Sequence, residues 1–263
     1  MIDYKICNLY SGSKGNATYI SIGGKNILID AGKSAKTLCC ALKSVGVRPE
    51  SIDAIFITHE HTDHVSALQT FSHKYEAPIH ILLSSAKKKF YGLRDEALFS
   101  KMRFHESTSY SVDLDGVKIQ AFPTPHDSCG SVGYKITYSN GNEELSIGLA
   151  TDIGHITDDI RDNLLGCDSV IIECNHDTDM LMYGPYPYEL KLRIASKKGH
   201  LPNSDCAAFC SELAASGTKS IMLAHLSEEN NTPEIAYSEC MSAVADESVK
   251  IFVASPTSPI WIE

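Results

Sequence analysis

No apolar run in this sequence approaches the roughly 18 residues that a membrane span requires, so no such span is expected. The opening Met1-Ile2-Asp3-Tyr4-Lys5 lacks the basic-then-apolar profile of a secretory leader, and secretion is not expected either. No C-x-x-C pair occurs, which removes the usual zinc-ribbon and thiol-redox signatures. The nine cysteines, scattered at 7, 39, 40, 129, 167, 174, 206, 210 and 240, read as reduced thiols in a cytoplasmic protein. Positive charge is scarce: 23 Lys and Arg against 33 Asp and Glu leave a formal net charge of −10, which argues against a protein coated all round by nucleic acid. Any phosphate contact must be local. Low-complexity tracts, Pro- or Ser-rich linkers and internal repeats are also missing, so composition supports no domain boundary. What remains, 263 residues of which 43% are apolar and 21% charged, is enough for a real core and fits a single α/β domain over 1–263.

Turn residues at 11–16 and 23–24 separate β-rich runs at 5–10, 17–22 and 26–29, which predicts an opening β-meander. Ser34 is an N-cap candidate for a helix over 34–45, and the apolar run at 53–58 predicts a buried strand. A helix over 65–75, a strand over 79–83 and a helix over 84–91 follow. Residues 101–138 predict three or more strands around the Asp115-Gly116 turn. Strands are then expected at 145–150, 169–173, 220–224 and 249–254, with helices at 158–165, within 186–197, at 203–216 and at 233–245. Two strand-rich blocks, each followed by helices, suggest packed sheets with helices outside.

The strongest chemical signal is Thr58-His59-Glu60-His61-Thr62-Asp63-His64, directly after the apolar strand. A zincin helix, H-E-x-x-H, would need a second histidine at 63, where Asp63 stands, so that reading fails. The pattern H-x-H-x-D-H instead offers two pairs of ligands, enough to begin two adjacent metal sites.

This segment resembles the signature of the metallo-β-lactamase-fold hydrolases, whose fold is a four-layer αββα sandwich with a metal centre at one edge. The resemblance extends along the chain: Ile27-Leu28-Ile29-Asp30-Ala31-Gly32, Pro123-Thr124-Pro125-His126, Gly148-Leu149-Ala150-Thr151-Asp152 and Met222-Leu223-Ala224-His225 fill the expected positions in order. It implies that His59, His61 and His126 bind one divalent ion and that Asp63, His64 and His225 bind the other, with Asp152 bridging. Imidazoles with a few carboxylates suit Zn²⁺ first, and Mn²⁺ or Fe when carboxylates bridge. Asp63 would orient a metal-bridging hydroxide, and Asp30 would steady the histidine loop from outside the ligand set.

Further segments are similar to the YycJ (WalJ) family over essentially the whole chain: Tyr10-Ser11-Gly12-Ser13-Lys14-Gly15-Asn16, Glu173-Cys174-Asn175-His176-Asp177, Gly199-His200-Leu201-Pro202-Asn203 and Ala224-His225-Leu226-Ser227-Glu228-Glu229-Asn230-Asn231. That resemblance implies a cytoplasmic two-metal phosphodiesterase, a 5′-to-3′ exonuclease acting on DNA strand ends. Pro202 departs from the family's G-H-L-S-N and puts the following helix cap in question. The last hundred residues are also similar to the RNA-processing RNase Z, which keeps RNA open as substrate.

His200 and His176 are the candidate catalytic histidines beside Asp63, with His200 as general acid or phosphate contact. The loop 11–16, with Ser13, Lys14 and Asn16, is a candidate phosphate cradle. It would serve equally well as a plain hairpin turn. Residues 183–200 carry Lys191, Arg193, Lys197 and Lys198 against Glu189, with Tyr183, Tyr186 and Tyr188 interleaved, which suits a strand end. A solvated helix face would look the same. Lys87-Lys88-Lys89 is a weaker candidate. His73, His80, His105 and His155 read as surface or ordinary polar residues, and Cys129 as a core thiol. Two alternatives stay open: a small-molecule hydrolase of the same fold, cleaving a thioester, lactone or cyclic phosphate, and a metal-stabilised regulatory protein. So complete a ligand set weighs against the second. The sequence carries no sign of oligomeric state.

Overall fold

The structure, a computed structural model, describes residues 2–262. The first sheet opens with the antiparallel meander β1 (Tyr4–Tyr10), β2 (Ala17–Ile22) and β3 (Lys25–Ile29). It continues in parallel through β4 (Ala54–Phe56), β5 (Ile79–Leu82) and β6 (Met102–His105). The second sheet begins antiparallel with β7 (Tyr110–Leu114), β8 (Val117–Pro123), β9 (Val132–Ser139) and β10 (Glu144–Ala150). It ends parallel through β11 (Ser169–Glu173), β12 (Ser220–Ala224) and β13 (Lys250–Val253). The chain then returns to the first sheet as β14 (Ile260–Ile262), which pairs with β1 and gives two sheets of seven strands.

Alternation along the strands divides the apolar side chains between layers. Ile20, Ile27 and Phe56 from the first sheet meet Ile119, Tyr134 and Ile147 from the second. Their neighbours face outward: Leu28, Ile55 and Ile79 against Leu38, Leu42, Leu68 and Phe71, and Val170 and Ile221 against Ile160, Leu164, Phe209 and Leu213. This is the αββα sandwich that the resemblance implied. No described helix is long and apolar enough to cross a membrane.

The helix expected over 65–75 is instead two short ones, Thr62–Val65 and Leu68–Ser72. The break has a physical cause, because Ala67 N–H donates to Ala31 O and ties the chain to the end of β3. Helices Glu96–Lys101 and Thr178–Tyr183, capped by Asp95 and Asp177, and the strand β14 were not anticipated. Helix Asn203–Ala215 starts at Pro202 without a side-chain cap, the consequence foreseen for the proline. Backbone contacts fill in: Asn203 N–H donates to His176 O and Cys206 N–H to Pro202 O.

Candidate metal centre

The chemistry-bearing residues follow the carboxyl ends of parallel strands, where αβ sheets commonly place ligands. Asp30 follows β3, the histidine loop follows β4, Asp152 follows β10, Glu173 ends β11 and His225 follows β12. Asp30, Asp152 and His225 turn the chain sharply there, with φ of 63°, 56° and 57° in the left-handed region. At Gly32 the loops press together so closely that a Cβ would lie 1.9 Å from Asp63 O, so only glycine fits. Asn16 N–H donates to Asp63 O, Gly32 N–H to Asn16 O, and Ala31 N–H to His64 O. The loops carrying Asn16, Asp30 and Asp63 are thus laced into one frame.

Four of the buried histidines are each held from outside by one ring nitrogen. His59 Nδ1 lies 3.0 Å from Thr58 Oγ1, and His64 Nδ1 lies 2.8 Å from Asp30 Oδ2. His126 Nδ1 donates to Gly199 O at 3.3 Å, and His225 Nδ1 lies 3.0 Å from Glu173 Oε1. The outer partner fixes the tautomer and leaves the other nitrogen facing inward, the usual arrangement for metal-binding imidazoles. Asp30 also accepts from Thr58 N–H, so it grips the loop rather than joining the inner cluster.

Among the overlapping donor groups that result, two match the expected ligand sets and another joins Asp152 and His225 to Glu173 and His200. One ligand atom each from His59, His61 and His126 lie within 4.8 Å of one another, as do those of Asp63, His64 and His225. Asp152 sits between them, its Oδ2 at 3.3 Å from His64 Nε2 and its Oδ1 at 3.5 Å from His225 Nε2 and 3.8 Å from His126 Nε2. His59 Nε2, His225 Nε2 and Asp152 Oδ2 are buried and make no hydrogen bond. Leaving such atoms unsatisfied is expensive unless something else engages them. A pair of divalent cations fits these residues, in place and in donor chemistry.

The electrostatics agree. Burial, with the neighbouring histidines, holds His59 well below the ordinary imidazole value, so it is neutral and ready to bind. At His225 burial opposes the charged form, but Asp152, Asp63 and Glu173 outweigh it and push the group up to about 10. Burial likewise opposes ionisation of Asp63 and Glu173, yet the histidines around them hold both carboxyls well below their usual range. So many ionised acids in a buried site demand concentrated positive charge.

Glu173 is the residue that sequence reasoning did not assign. Its Oε1 lies 2.7 Å from His200 Nδ1 and 3.0 Å from His225 Nδ1, and its Oε2 accepts from Ile153 N–H. The available signal was an acid closing the apolar run of β11. His200 keeps some exposure at the mouth of the centre, its ring stacked on His225 with centroids 5.2 Å apart. His176 is buried and belongs to none of these donor groups; its backbone braces Pro202 and Asn203.

The predicted substrate contacts are dispersed. Asn16 is buried, with Nδ2 at 3.3 Å from Asp63 Oδ2 and 3.0 Å from His64 Nε2, so it steadies the centre. Ser13 and Lys14 are exposed, with Lys14 paired to Glu228. Lys191 donates to Met182 O, and Arg193 pairs with Asp127, whose other oxygen lies 3.4 Å from His126 Nε2. A cleft of about 470 Å³ beside His61 is lined by Thr62, Lys88, Lys89 and Ser128 among others. Lys89 Nζ donates to Thr62 Oγ1 at 2.6 Å there. Cys129 is exposed at this rim, not packed in the core, and His80 is buried rather than at the surface.

The family model for the β-lactamase superfamily domain matches residues 25–226. An exodeoxyribonuclease, WalJ, of Streptococcus pneumoniae is 31% identical over 265 residues, covering 98% of this chain and 96% of its own. An exodeoxyribonuclease, YycJ, of Bacillus anthracis is 32% identical over 232 residues, covering 87% and 84%. The metallo-β-lactamase fold protein YhfI of Bacillus subtilis superposes with a TM-score of 0.73 at 15% identity, covering 98% of this chain and 99% of that one, a likeness of fold.

Proposed function

Because the chain belongs to the β-lactamase superfamily and, within it, to the WalJ/YycJ family, it is a metal-dependent hydrolase, and we propose that it removes terminal nucleotides from DNA in the 5′-to-3′ direction. The observation that carries this reading is the setting of the centre: it borders an open cleft that holds Lys88 and Lys89, with its acids Asp127 and Glu60 already engaged by Arg193 and by Ser85 and Cys129 N–H, rather than a closed apolar pocket suited to a small substrate. Residues 1–263 act as one domain around the shared inter-sheet core, in the cytoplasm.

His59, His61 and His126 would hold one divalent ion and Asp63, His64 and His225 the second, with Asp152 reaching both; Zn²⁺ suits this donor set best and Mn²⁺ or Fe next. Such ions would supply charge neutralisation at the phosphoryl oxygens and a water acidic enough to attack near neutral pH. Asp63, steadied by Asn16 Nδ2 and kept ionised by His64 and His225, would orient the attacking water. His200, with Nδ1 engaged by Glu173, offers its other nitrogen to protonate the leaving 3′-oxygen. His176 acts at one remove, by bracing the segment that carries His200. Lys88 and Lys89 grip the phosphates nearest the centre. Ser13, Lys14, Lys191 and Arg193 serve those farther out, and the exposed rings of Tyr183 and Tyr188 are available for bases to stack on.

The test is cleavage of 5′-labelled and 3′-labelled DNA, single-stranded and duplex, by protein stripped of metal and reloaded with Zn²⁺ or Mn²⁺ separately. Metal-dependent release of short products from the 5′ end, absent in Asp63→Ala, is the expected outcome. Cleavage of RNA alone, or no cleavage by a protein with a full complement of metal, overturns it.

A further inference from the structure

Away from the centre, four thiols meet inside the outer helical layer of the second sheet. Cys174 directly follows β11, Cys206 and Cys210 lie one turn apart on helix Asn203–Ala215, and Cys240 lies on helix Pro233–Ala243. All four are fully buried. Cys206 Sγ is 3.9 Å from Cys210 Sγ and 3.9 Å from Cys240 Sγ. The sulfurs of Cys174, Cys206 and Cys240 all lie within 4.8 Å of one another. Cys7 and Cys167 are buried as deeply, but their thiols donate to the backbone carbonyls of Asn8 and Asn163.

We propose that Cys174, Cys206 and Cys240, with Cys210 as fourth donor, form a structural zinc site distinct from the histidine and carboxylate centre. The spacing argues for it. A tetrahedral zinc thiolate with Zn–S bonds of about 2.3 Å has S···S edges of about 3.8 Å. Both 3.9 Å separations match that edge, and Cys210, outside the group of three that lie within 4.8 Å of one another, would swing inward to close the fourth corner. Helix Asn203–Ala215 has no capping side chain, and the positive end it turns towards Cys206 is offset in part by Asp205 in its first turn. Cys174 Sγ donates to Asn203 Oδ1 at 3.1 Å, a bond that it gives up on losing its proton to the ion. Asn231 Nδ2 in turn donates to Asn203 Oδ1 and to Cys174 O, so buried amides already orient the cluster.

The balance is simple. Each bound thiol gives up its proton to solvent as the ion takes its place, and no electron moves. With every ligand from the protein and no opening to solvent, such a site is structural rather than catalytic. Its task follows from its position, since Cys174 adjoins the Glu173 that holds His200 and His225. Zinc here would pin the end of β11 to two outer helices.

The deciding experiment is X-ray absorption at the zinc edge of the whole protein grown with zinc, together with cobalt substitution. The proposal expects a sulfur shell at about 2.3 Å and sulfur-to-cobalt charge-transfer absorption, neither of which a histidine and carboxylate centre can produce. His61→Ala/Asp152→Ala should keep the sulfur signature. Cys206→Ser/Cys240→Ser should lose it, with about one equivalent of metal. Nitrogen and oxygen scatterers alone in the wild-type protein overturn the site, whether or not the cysteine variants fold. A Cys206–Cys240 disulfide in the isolated protein overturns it as well. None of these readouts depends on the nuclease reading.

Discussion

Two places in this protein bury histidines against each other, and they behave in opposite ways. His80 and His105 stack with ring centroids 5.3 Å apart and Nδ1 to Nε2 at 3.1 Å, between Phe56 and Tyr110. Burial, helped by His105 and Arg103, holds His80 down at about 4. His64 and His225 are buried at least as deeply, yet both are pushed up, because Asp30, Asp63, Asp152 and Glu173 surround them. Burial alone makes a neutral, satisfied core pair. Carboxylates convert the same ring into part of a site that must hold positive charge. The two regions touch: Tyr110 bonds Tyr134, and Tyr134 O–H donates to Ile57 O at the start of the histidine loop.

Removing an inner donor should separate the two regions most sharply. His61→Ala and Asp152→Ala are each expected to lose bound metal and at least about 10³-fold in kcat, since metal supplies several kcal/mol of charge stabilisation. Elemental analysis beside the DNA assay checks both, and full activity in either variant would refute the ligand assignment. The core pair answers to acid instead. The unfolded chain takes up a proton near pH 6.5 and folded His80 only near 4, so its contribution is complete above about 6.5 and is lost as pH falls towards 4. Denaturant melts across that window should show a decline of up to about 3 kcal/mol, shallower in His80→Gln. An equal decline in the variant would assign it elsewhere.

Glu173→Gln keeps the shape but weakens the charge that steadies His200 and His225. A loss of about 10–100-fold in kcat is expected, as for other partners of catalytic or metal-binding imidazoles. Unchanged kinetics would make Glu173 a packing residue. Lys14→Ala should do least: unchanged metal content and a rise in KM of less than about tenfold, because an exposed ion pair contributes little. Kinetics on short single strands at low salt would detect it.

Much of the centre was legible because it hangs on strand ends. An apolar run followed by an acid or histidine recurs at Asp30, His59, Asp152 and His225, and the run itself fixes where the side chain must emerge. Glu173 escaped assignment because its acid closes the run instead of following it. The lysines were harder, since nothing local in Lys87-Lys88-Lys89 says that helix Leu83–Phe90 ends beside His61. Lys14, more prominent in the sequence, turned out to be paired with Glu228. The cysteine cluster joins residues from a strand end and two helices, a convergence that only tertiary packing creates.

The left-handed backbone at Asp30, Asp152 and His225 bears on how this protein can change. An L side chain held there sacrifices on the order of 1 kcal/mol relative to glycine. Glycine would relieve that strain at Asp152 and His225 at the expense of the centre, whereas Asp30 offsets it through its bonds to Thr58 N–H and His64 Nδ1. Any campaign to harden the enzyme should therefore hold these codons fixed.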